Sequence, residues 1–421
     1  MRKGGSYMDQ PNQSDVLERF LRYVRVTTQS SEEHCDVVPS TACQFDLANL
    51  LADELRGLGA FDVEVSEHAY VTAHIPASPG AENAPRLGLI AHLDTTEAAP
   101  GDGVNPHVVH YEGGDLVCGV VDGKEVSISP SKIPALDEVA GEDLVCSDGT
   151  TLLGADDKAG VAEIMALVAR ISQDPLLPHP PLGICFCPDE EIGHGAELLD
   201  IPAFGCAFAY TVDGGPIGEL EYECFNAADV TVSFEGFSIH PGDAKDRMVN
   251  ASNLFVEFHT MLPAVERPEH TEGYEGFIHL CGISGTVTHA TARYIVRDHD
   301  AERFQQKLDM MERAAGFVND RLGEEHVSVE IKPQYRNMAE VVAGYPELID
   351  RARNAFESTG IPCRIIPIRG GTDGAQLSFR GLPCPNLATG AYCCHGVNEF
   401  IPVSSLEKMV DVLQALVAQF I

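Results

Sequence analysis

The chain has 421 residues, of which 44% are hydrophobic and 22% are charged. This composition is typical of a globular protein, and the length favours two domains. Whether one domain is inserted in the other stays open at this point. The 28 basic and 64 acidic side chains give a formal charge of −36. A chain this acidic would be repelled by phosphate backbones and anionic membranes, while it would attract cations. We therefore expect neither a nucleic acid nor a membrane as a partner.

The ends of the chain and its cysteines bear on location. No apolar stretch reaches the roughly 18 residues that a transmembrane helix needs. Residues 1–14, MRKGGSYMDQPNQS, have two basic side chains but no apolar region behind them, which predicts a disordered leader and not a signal peptide. The 13 cysteines have no C-x-x-C spacing, which favours reduced thiols over a disulfide framework. We expect a cytoplasmic protein.

Helices and strands alternate in the first half of the chain, which is typical of an open α/β sheet. The helices are predicted from apolar residues at helical spacing and the strands from short apolar or alternating runs. The predicted helices cover residues 15–27, 45–58 and 161–172, and the predicted strands cover residues 61–77, 86–94, 181–189 and 206–214.

The pattern changes over residues 224–336, where the order strand, helix, two strands, helix, strand is that of the ferredoxin-like split βαβ unit. The α/β pattern then resumes. The sequence therefore predicts a mixed-sheet α/β catalytic domain formed by residues 15–223 and 337–421, interrupted by an inserted α+β domain. The elements predicted after residue 223 are strand 227–236, helix 248–262, strand pair 276–298, helix 301–323, strand 326–335, helix 346–360, strand 363–369, strand 384–392 and helix 403–420.

Five groups of acidic or imidazole side chains follow predicted strands, where open α/β sheets bind their ligands. Each group alone has an ordinary alternative: a hydrogen-bonded core histidine, a helix N-cap, a solvated turn, a tight turn and a surface loop residue. Their shared position at strand ends in one domain favours convergence on a common site. The groups are His92-Leu93-Asp94, Asp156-Asp157, Glu190-Glu191, Asp213 and His395.

Metal chemistry gives these groups a common purpose. Two metal ions held about 3.5–4 Å apart need ligands of their own and one carboxylate that bridges them. Zinc binds histidine nitrogen and carboxylate oxygen in such open sites. Because side chains alternate along a strand, His92 and Asp94 point the same way, and Asp94 can orient the imidazole. Glu190 and Glu191 diverge, so one can face the metal while the other takes a proton from an activated water.

Seven segments, in chain order, resemble the motifs of the M20 family of metallopeptidases: AHLDT, LLGADDKAGVAEIM, PDEEIGHGA, YTVDGG, SIHPGDAK, IRGGTDGAQLSFRGLPCPNL and YCCHGVNEF. The resemblance extends over nearly the whole chain from about residue 15 and implies a zinc-peptidase-like catalytic domain. It also implies an aminopeptidase that releases the N-terminal residue from short peptides, chiefly tripeptides, by means of a water activated between two zinc ions per subunit. Other divalent ions, and a homodimer through the inserted domain, stay open.

The resemblance assigns a role to each residue at the strand ends. Glu190 would be the general base and Asp94 would orient His92. The peptide bond between Asp156 and Asp157 is expected to be cis. The implied metal ligands are His92 and Asp213 for one zinc ion, Glu191 and His395 for the other, and Asp156 as the bridge.

The resemblance also implies substrate contacts. Arg369 would bind the carboxylate end of the peptide, with the backbone of Gly370 and Gly371 beside it, and the planar guanidinium suits such a bidentate contact. The alternative for Arg369 is an ordinary salt bridge with Asp373.

Two further residues belong to the inserted domain. His240, in the segment SIHPG, would swing over the site and polarise the scissile carbonyl. Asn250 would assist it. The alternative for His240 is a loop residue that precedes a helix.

Three cysteines, Cys187, Cys393 and Cys394, depart from the family pattern. A thiolate zinc site is one interpretation of Cys-Cys-His. Packed thiols are the prediction, because adjacent residues cannot easily both reach one tetrahedral ion.

Two other functions remain as alternatives. An N-acyl amino-acid amidohydrolase or a carboxypeptidase on the same scaffold would need no site for a free α-amine. A peptide-binding protein without catalysis is disfavoured, because the ligands and the base are all present.

Overall fold

The computed structural model describes residues 14–421. The predicted leader, apart from Ser14, lies outside the described residues. The chain divides into two compact units. The first unit contains the described residues up to Tyr222 together with Val341–Ile366 and Leu377–Ile421, and the second contains Glu223–Glu340 and Pro367–Gln376. Within residues 14–421, no helix combines the length and the apolar character needed to cross a membrane.

The described part of the chain forms strands and α-helices with the following bounds. The strands are β1 Phe61–Val65, β2 Val71–Ile75, β3 Leu87–His92, β4 His107–His110, β5 Leu116–Val121, β6 Lys124–Ile128, β7 Asp143–Cys146, β8 Leu182–Cys187, β9 Phe208–Gly214, β10 Glu219–Glu221, β11 Asn226–Glu235, β12 Phe277–Gly285, β13 His289–Asp298, β14 Val327–Tyr335, β15 Arg364–Ile365, β16 Asn386–Ala388 and β17 Phe400–Pro402. The helices are α1 Asp15–Tyr23, α2 Gln44–Gly57, α3 Ala155–Gln173, α4 Ile201–Phe204, α5 Ala251–Met261, α6 Ala301–Leu322, α7 Ala339–Val342, α8 Pro346–Ser358, α9 Asp373–Phe379 and α10 Val403–Val417.

The first unit is built on an eight-stranded mixed sheet with the order β1-β2-β8-β3-β9-β16-β10-β15. Its centre is parallel, because β3 pairs in parallel with both β8 and β9. Every residue of β3 and β8 is buried, as expected for parallel strands covered on both faces. Helix α3 packs against β3 and β9 and is itself contacted by α1 and α10. The parallel centre places the carboxyl ends of β3, β8 and β9 at one edge.

Two small sheets were not predicted; their strands come from the chain between β3 and α3, except for β17 near the end of the chain. Strands β4, β7 and β17 form a three-stranded sheet, and β5 and β6 form a hairpin. The hairpin turns at Asp122 and Gly123, whose φ angles are 51° and 76°. Positive φ at both turn residues is the geometry that Asp-Gly favours in two-residue hairpins.

The second unit is an antiparallel sheet of order β12-β13-β11-β14 with α5 and α6 packed on it. The chain order βαββαβ with this strand order is the ferredoxin-like arrangement. Its core contains Val230, Val232, Phe258, Tyr294 and Met311. The predicted α/β fold class with an inserted α+β domain is confirmed.

One predicted boundary needs correction. Residues Pro367–Gln376, predicted as part of the catalytic domain, group with the second unit. The reason is local pairing: the Ile368 N–H donates to the Glu223 carbonyl at 2.9 Å, and Cys224 and Ile368 form a parallel bridge. The predicted strand 363–369 is accordingly reduced to Arg364–Ile365.

Candidate metal centre

His92 is the last residue of β3 and is only 2% exposed. Its Nε2 lies 2.9 Å from Asp156 Oδ1 and 3.4 Å from Asp213 Oδ1. Asp213 belongs to β9, the parallel neighbour of β3. Parallel neighbours end at the same edge of a sheet, which is why these two side chains meet.

Asp156 stands between two histidines. It lies in the first turn of α3, after Gly154, whose φ is 80°. Its Oδ1 faces His92, while its Oδ2 lies 3.0 Å from His395 Nε2. The peptide bond between Asp156 and Asp157 is cis, so that prediction is confirmed. One carboxylate therefore offers an oxygen to each of two imidazoles.

Glu191 and His395 complete a second set. His395 Nε2 is 3.1 Å from Glu191 Oε2, and the other oxygen of Glu191 is buried and has no hydrogen-bond partner among residues 14–421. The ligand atoms of His92, Asp156 and Asp213 lie within 4.8 Å of one another, and so do those of Asp156, Glu191 and His395. The five predicted ligands thus come together as two sets that share Asp156. Glu190 belongs to neither set among the described residues.

Asp94 supports the site in two ways. Its backbone carbonyl oxygen lies 3.1 Å from His92 Nδ1, closer than its carboxylate at 3.4 Å. The carboxylate accepts the backbone N–H groups of Glu190 at 3.0 Å and Glu191 at 3.2 Å. Asp94 is fully buried. The predicted orientation of His92 therefore involves mainly the Asp94 carbonyl, and the carboxylate holds the turn that carries both glutamates.

Asp189 was not assigned a role from the sequence, although it precedes the two glutamates. Its backbone is left-handed, with φ 55°, and the residue is fully buried. Its carboxylate accepts hydrogen bonds of 2.6 Å from the Ser40 N–H, the Ser40 hydroxyl and the Gln44 amide. These contacts explain how three adjacent acidic residues coexist, since Asp189 is stabilised away from the metal-ligand sets.

Asp157 also lacked a predicted role of its own. It is fully buried, and its carboxylate accepts the N–H of His92 at 3.1 Å and the N–H of Gly160 at 3.2 Å. It therefore fixes the backbone of the first ligand. The sequence contained a signal for this difference. Adjacent side chains point in different directions, as was argued for Glu190 and Glu191, and the same argument predicts that Asp156 and Asp157 have different partners.

The electrostatics of the site reflect crowded carboxylates. Burial opposes protonation of His92, but the carboxylates of Asp213, Asp156 and Asp94 outweigh it and raise the His92 pKa well above its usual value. A hydrogen bond to Asp156 is the main cause that raises the pKa of His395 to about 9. Burial, with the Asp156 charge, raises the pKa of Glu191 to about 8. The cluster therefore favours bound positive charge, in the form of protons or cations.

The donor set suits divalent ions of the zinc type. Each set offers one imidazole nitrogen and carboxylate oxygens, a combination that zinc accepts readily and that the oxygen-preferring ions Mg²⁺ and Ca²⁺ do not require. The second carboxylate oxygen of Glu191 is buried and has no hydrogen-bond partner in the part of the chain that the structure describes. Because buried polar atoms otherwise form hydrogen bonds, this oxygen is an open ligand atom. The residues present therefore fit a pair of metal ions.

Arg369 lies in the second unit and binds a loop of that unit. Its Nη1 donates to the carbonyls of Gly273 at 2.7 Å and Glu275 at 2.9 Å. Its Nη2 lies 3.1 Å from Thr271 Oγ1, and the guanidinium also stacks over Phe225. The predicted substrate clamp is thus already engaged with the loop of residues 271–275.

The other predicted substrate residues also have local partners in the second unit. His240 is exposed, and its Nδ1 accepts the Gly242 N–H at 3.1 Å. Asn250 caps helix α5, where its side-chain oxygen accepts the N–H groups of Ser252 and Asn253. Of the two predicted glycines, Gly371 packs so closely on Tyr335 that a Cβ would lie 2.7 Å from the ring, whereas Gly370 is less crowded.

All 13 cysteines lie in the described residues and are free thiols. Cys187 is fully buried in a hydrophobic cluster. Burial raises the pKa of Cys394 well above its usual value, while Cys393 is exposed. Neither ligand set in the described chain includes a cysteine, which favours packed thiols over a thiolate metal site.

A mixed-sheet α/β unit with two histidine-carboxylate sets that share one aspartate is typical of hydrolases that use two metal ions. Residues 152–419 match the model of peptidase family M20/M25/M40. The chain belongs to this family of metal-dependent peptidases, and the predicted M20 resemblance is confirmed.

Similar proteins extend over almost the entire chain. Peptidase T of Bacillus velezensis is 45% identical over 97% of this chain and 98% of its own length. Peptidase T of Parabacteroides distasonis is 47% identical over 94% of this chain and 96% of its own.

Solved structures share the fold. Aminopeptidase PepT from Bacillus cereus aligns with a TM-score of 0.76 at 22% identity, over 97% of this chain and 99% of that one. A tripeptidase from Staphylococcus aureus aligns with a TM-score of 0.75 at 21% identity, over 96% and 98%. A dinuclear metal-binding M20 peptidase from Bacillus subtilis aligns with a TM-score of 0.65 at 13% identity, over 96% and 98%.

Proposed function

We propose that the protein is a metal-dependent aminopeptidase that removes the N-terminal residue from short peptides, chiefly tripeptides. The observation that carries the proposal is the pair of ligand sets that share Asp156, with Glu190 on the adjoining turn. The peptidase family and the relatives named peptidase T support the same activity.

Two zinc ions per subunit are the proposed cofactor. His92 and Asp213 would hold one ion, Glu191 and His395 the other, and Asp156 both. When bound, such a pair lowers the pKa of a water molecule and polarises the scissile carbonyl.

The chain's own residues would move and position the protons. Glu190 is proposed to take a proton from the attacking water and to return it to the leaving amine. The backbone N–H of Glu190 is held by Asp94 Oδ1 at 3.0 Å, and the preceding Asp189 is held by Ser40 and Gln44. These contacts keep the base at a fixed position, so little reorganisation is needed during the reaction.

His240 is proposed to stabilise charge on the scissile carbonyl oxygen. Because Nδ1 accepts the Gly242 N–H, the neutral ring carries its proton on Nε2, and that nitrogen is a donor. Asn250 would contribute indirectly, by capping the helix of its own unit. Both assignments rest on the family resemblance.

The activity is tested with one tripeptide in its free and N-acetylated forms. We expect the free form to be cleaved with a kcat/KM about ten- to a hundredfold higher, because a charge-assisted contact to the ammonium contributes roughly 1.5–3 kcal/mol. Product analysis by mass spectrometry should show release of the first residue. A dipeptide and a tetrapeptide serve as length controls. Equal cleavage of the acetylated peptide would favour an amidohydrolase, and release of the last residue would favour a carboxypeptidase.

Arg369 is proposed to bind the substrate carboxylate through the edge formed by Nε and Nη2, where the carboxylate would replace the Thr271 hydroxyl. Arg369→Ala should therefore lower kcat/KM for the free tripeptide by about ten- to a hundredfold and leave the C-amidated peptide almost unaffected.

Thr271→Val is the matched control, since it removes the hydroxyl acceptor and keeps the arginine. This variant should retain the preference for a free carboxylate. If Arg369→Ala slows both peptides equally, Arg369 only anchors the loop of residues 271–275.

A further inference from the structure

The carboxylate of Glu399 lies within the first unit and is enclosed by backbone donors. Glu399 is 2% exposed. Its Oε2 accepts the N–H groups of Leu153 at 2.8 Å and Gly154 at 2.7 Å, and its Oε1 accepts the N–H of Asp156 at 3.0 Å. All three donors come from the short segment that ends at the shared ligand Asp156.

These bonds hold the buried segment that leads into α3. Gly154 is left-handed, with φ 80°, and Leu153 and Gly154 are buried. Backbone N–H groups that are buried without an acceptor cost free energy, and bonds to a charged acceptor are stronger than neutral ones. Glu399 satisfies three such donors at once. The position of the Asp156 backbone therefore depends on this one carboxylate.

Glu399 also belongs to the loop that carries another ligand. Tyr392 and Phe400 exchange backbone hydrogen bonds of 2.9 and 3.1 Å and so close the loop of residues 393–399. His395 lies in that loop with a left-handed φ of 66°, and its Nε2 contacts Asp156 Oδ2 at 3.0 Å. Glu399 thus joins the two chain segments whose ligands meet in the second set.

We infer that Glu399 is a positioning residue that sets the spacing of Asp156 and His395 for the second metal ion. The first set also contains Asp156 but depends on Glu399 less, because its other two ligands, His92 and Asp213, lie on strands β3 and β9. His92 is held by Asp157 as well. The inference rests on the proposed two-metal function. It assigns to Glu399 no contact with substrate or with the metal.

The test is the zinc affinity of Glu399→Gln, measured by titration of the metal-free protein. Glutamine keeps the size of the side chain but has one acceptor oxygen, and its NH2 group would face a backbone donor. We expect affinity for the second ion to fall about 10- to 100-fold, as when other residues that support ligands are lost. The affinity for the first ion should fall much less. Excess zinc should restore activity.

A double-mutant cycle assigns the loss to one ion. In a Glu191→Gln background the second set is already incomplete, so Glu399→Gln should cause little further loss of zinc affinity. It should keep its full effect in an Asp213→Asn background, where the first set is incomplete. Equal effects in both backgrounds would show a general loss of structure and would overturn the inference.

Glu163→Gln is the matched control. Glu163 is a buried glutamate of α3, neither of its carboxylate oxygens has a hydrogen-bond partner within the described chain, and burial raises its pKa well above its usual value. Its replacement should leave both zinc affinities at wild-type values. Circular dichroism and thermal unfolding check the fold of each variant.

Each remaining outcome has a definite meaning. If Glu399→Gln does not fold, Glu399→Asp, which withdraws the carboxylate by one methylene, should show the same selective loss. If neither variant folds, Glu399 determines folding and the inference is overturned. If Glu399→Gln binds both zinc ions with wild-type affinity, the positioning role is overturned and the proposed function stays intact. A wild-type protein that binds only one zinc ion overturns both.

Discussion

Substitution of Asp156 by asparagine is expected to weaken the binding of both zinc ions. The two carboxylate oxygens of Asp156 face different imidazoles, at 2.9 Å from His92 Nε2 and 3.0 Å from His395 Nε2. An asparagine side chain has one acceptor oxygen, and its NH2 group cannot replace the second. The loss at each position should exceed the roughly 10- to 100-fold cost of losing a supporting residue. Calorimetric titration with zinc, and elemental analysis after dialysis, measure it.

Two matched variants separate bridging from a general loss of charge. Asp213→Asn removes a carboxylate only from the first set, and Glu191→Gln removes one only from the second. Each substitution should lower the affinity for one zinc ion and leave the affinity for the other almost unchanged. If Asp156→Asn left one ion at wild-type affinity, Asp156 would belong to one set only. If the wild type held a single ion under saturating zinc, the two-metal proposal would be wrong.

The convergence of these ligands was predictable because it follows from the topology of a parallel sheet. Strand alternation and the rule that ligands bind beyond the carboxyl ends of strands place His92 and Asp213 together once β3 and β9 are neighbours. The period of apolar residues also located α3, α6 and α10. In these cases the local pattern carries the information, since the partner lies on an adjacent regular element.

The supporting contacts were not predictable from local pattern. Asp189 is bound by Ser40 and Gln44, and these residues are distant in sequence and lie on no recognisable motif. Arg369 binds the carbonyls of a loop near residue 273. Every residue has a backbone carbonyl, so the amino-acid sequence does not indicate which carbonyls accept such a bond. The same reason accounts for the segment Pro367–Gln376, whose assignment depends on backbone pairing with residues near Glu223.

The hairpin of β5 and β6 was also not predicted, although the sequence contained a signal for it. Asp122 and Gly123 form a two-residue turn between the valine-rich segment LVCGVV and the segment KEVSI, and Asp-Gly at such a position favours a hairpin. Its strands are short and partly exposed, so their apolar alternation is weak. In such strands the turn residues are more informative than the flanking pattern.

Substitution of Glu190 by glutamine is expected to abolish most turnover while leaving metal binding intact. Glu190 is in neither ligand set of the described residues, so both zinc ions should remain. Glutamine cannot accept the proton of the attacking water, and the loss of a general base lowers kcat by about 10²- to 10⁴-fold. The measurement is kcat for a free tripeptide, together with the zinc content of the same sample.

Glu191→Gln is the control, because its side chain is adjacent in sequence but differs in surroundings. Glu191 Oε2 lies 3.1 Å from His395 Nε2, so its replacement should weaken one zinc ion, and added zinc should recover part of the activity. Added zinc should not rescue Glu190→Gln, since the missing group is a proton acceptor. The Asp94 carboxylate binds the backbone N–H groups of both glutamates, so neither substitution removes the contacts that hold the turn. Loss of zinc from Glu190→Gln with full retention in Glu191→Gln would reverse the two roles and would make Glu191 the base.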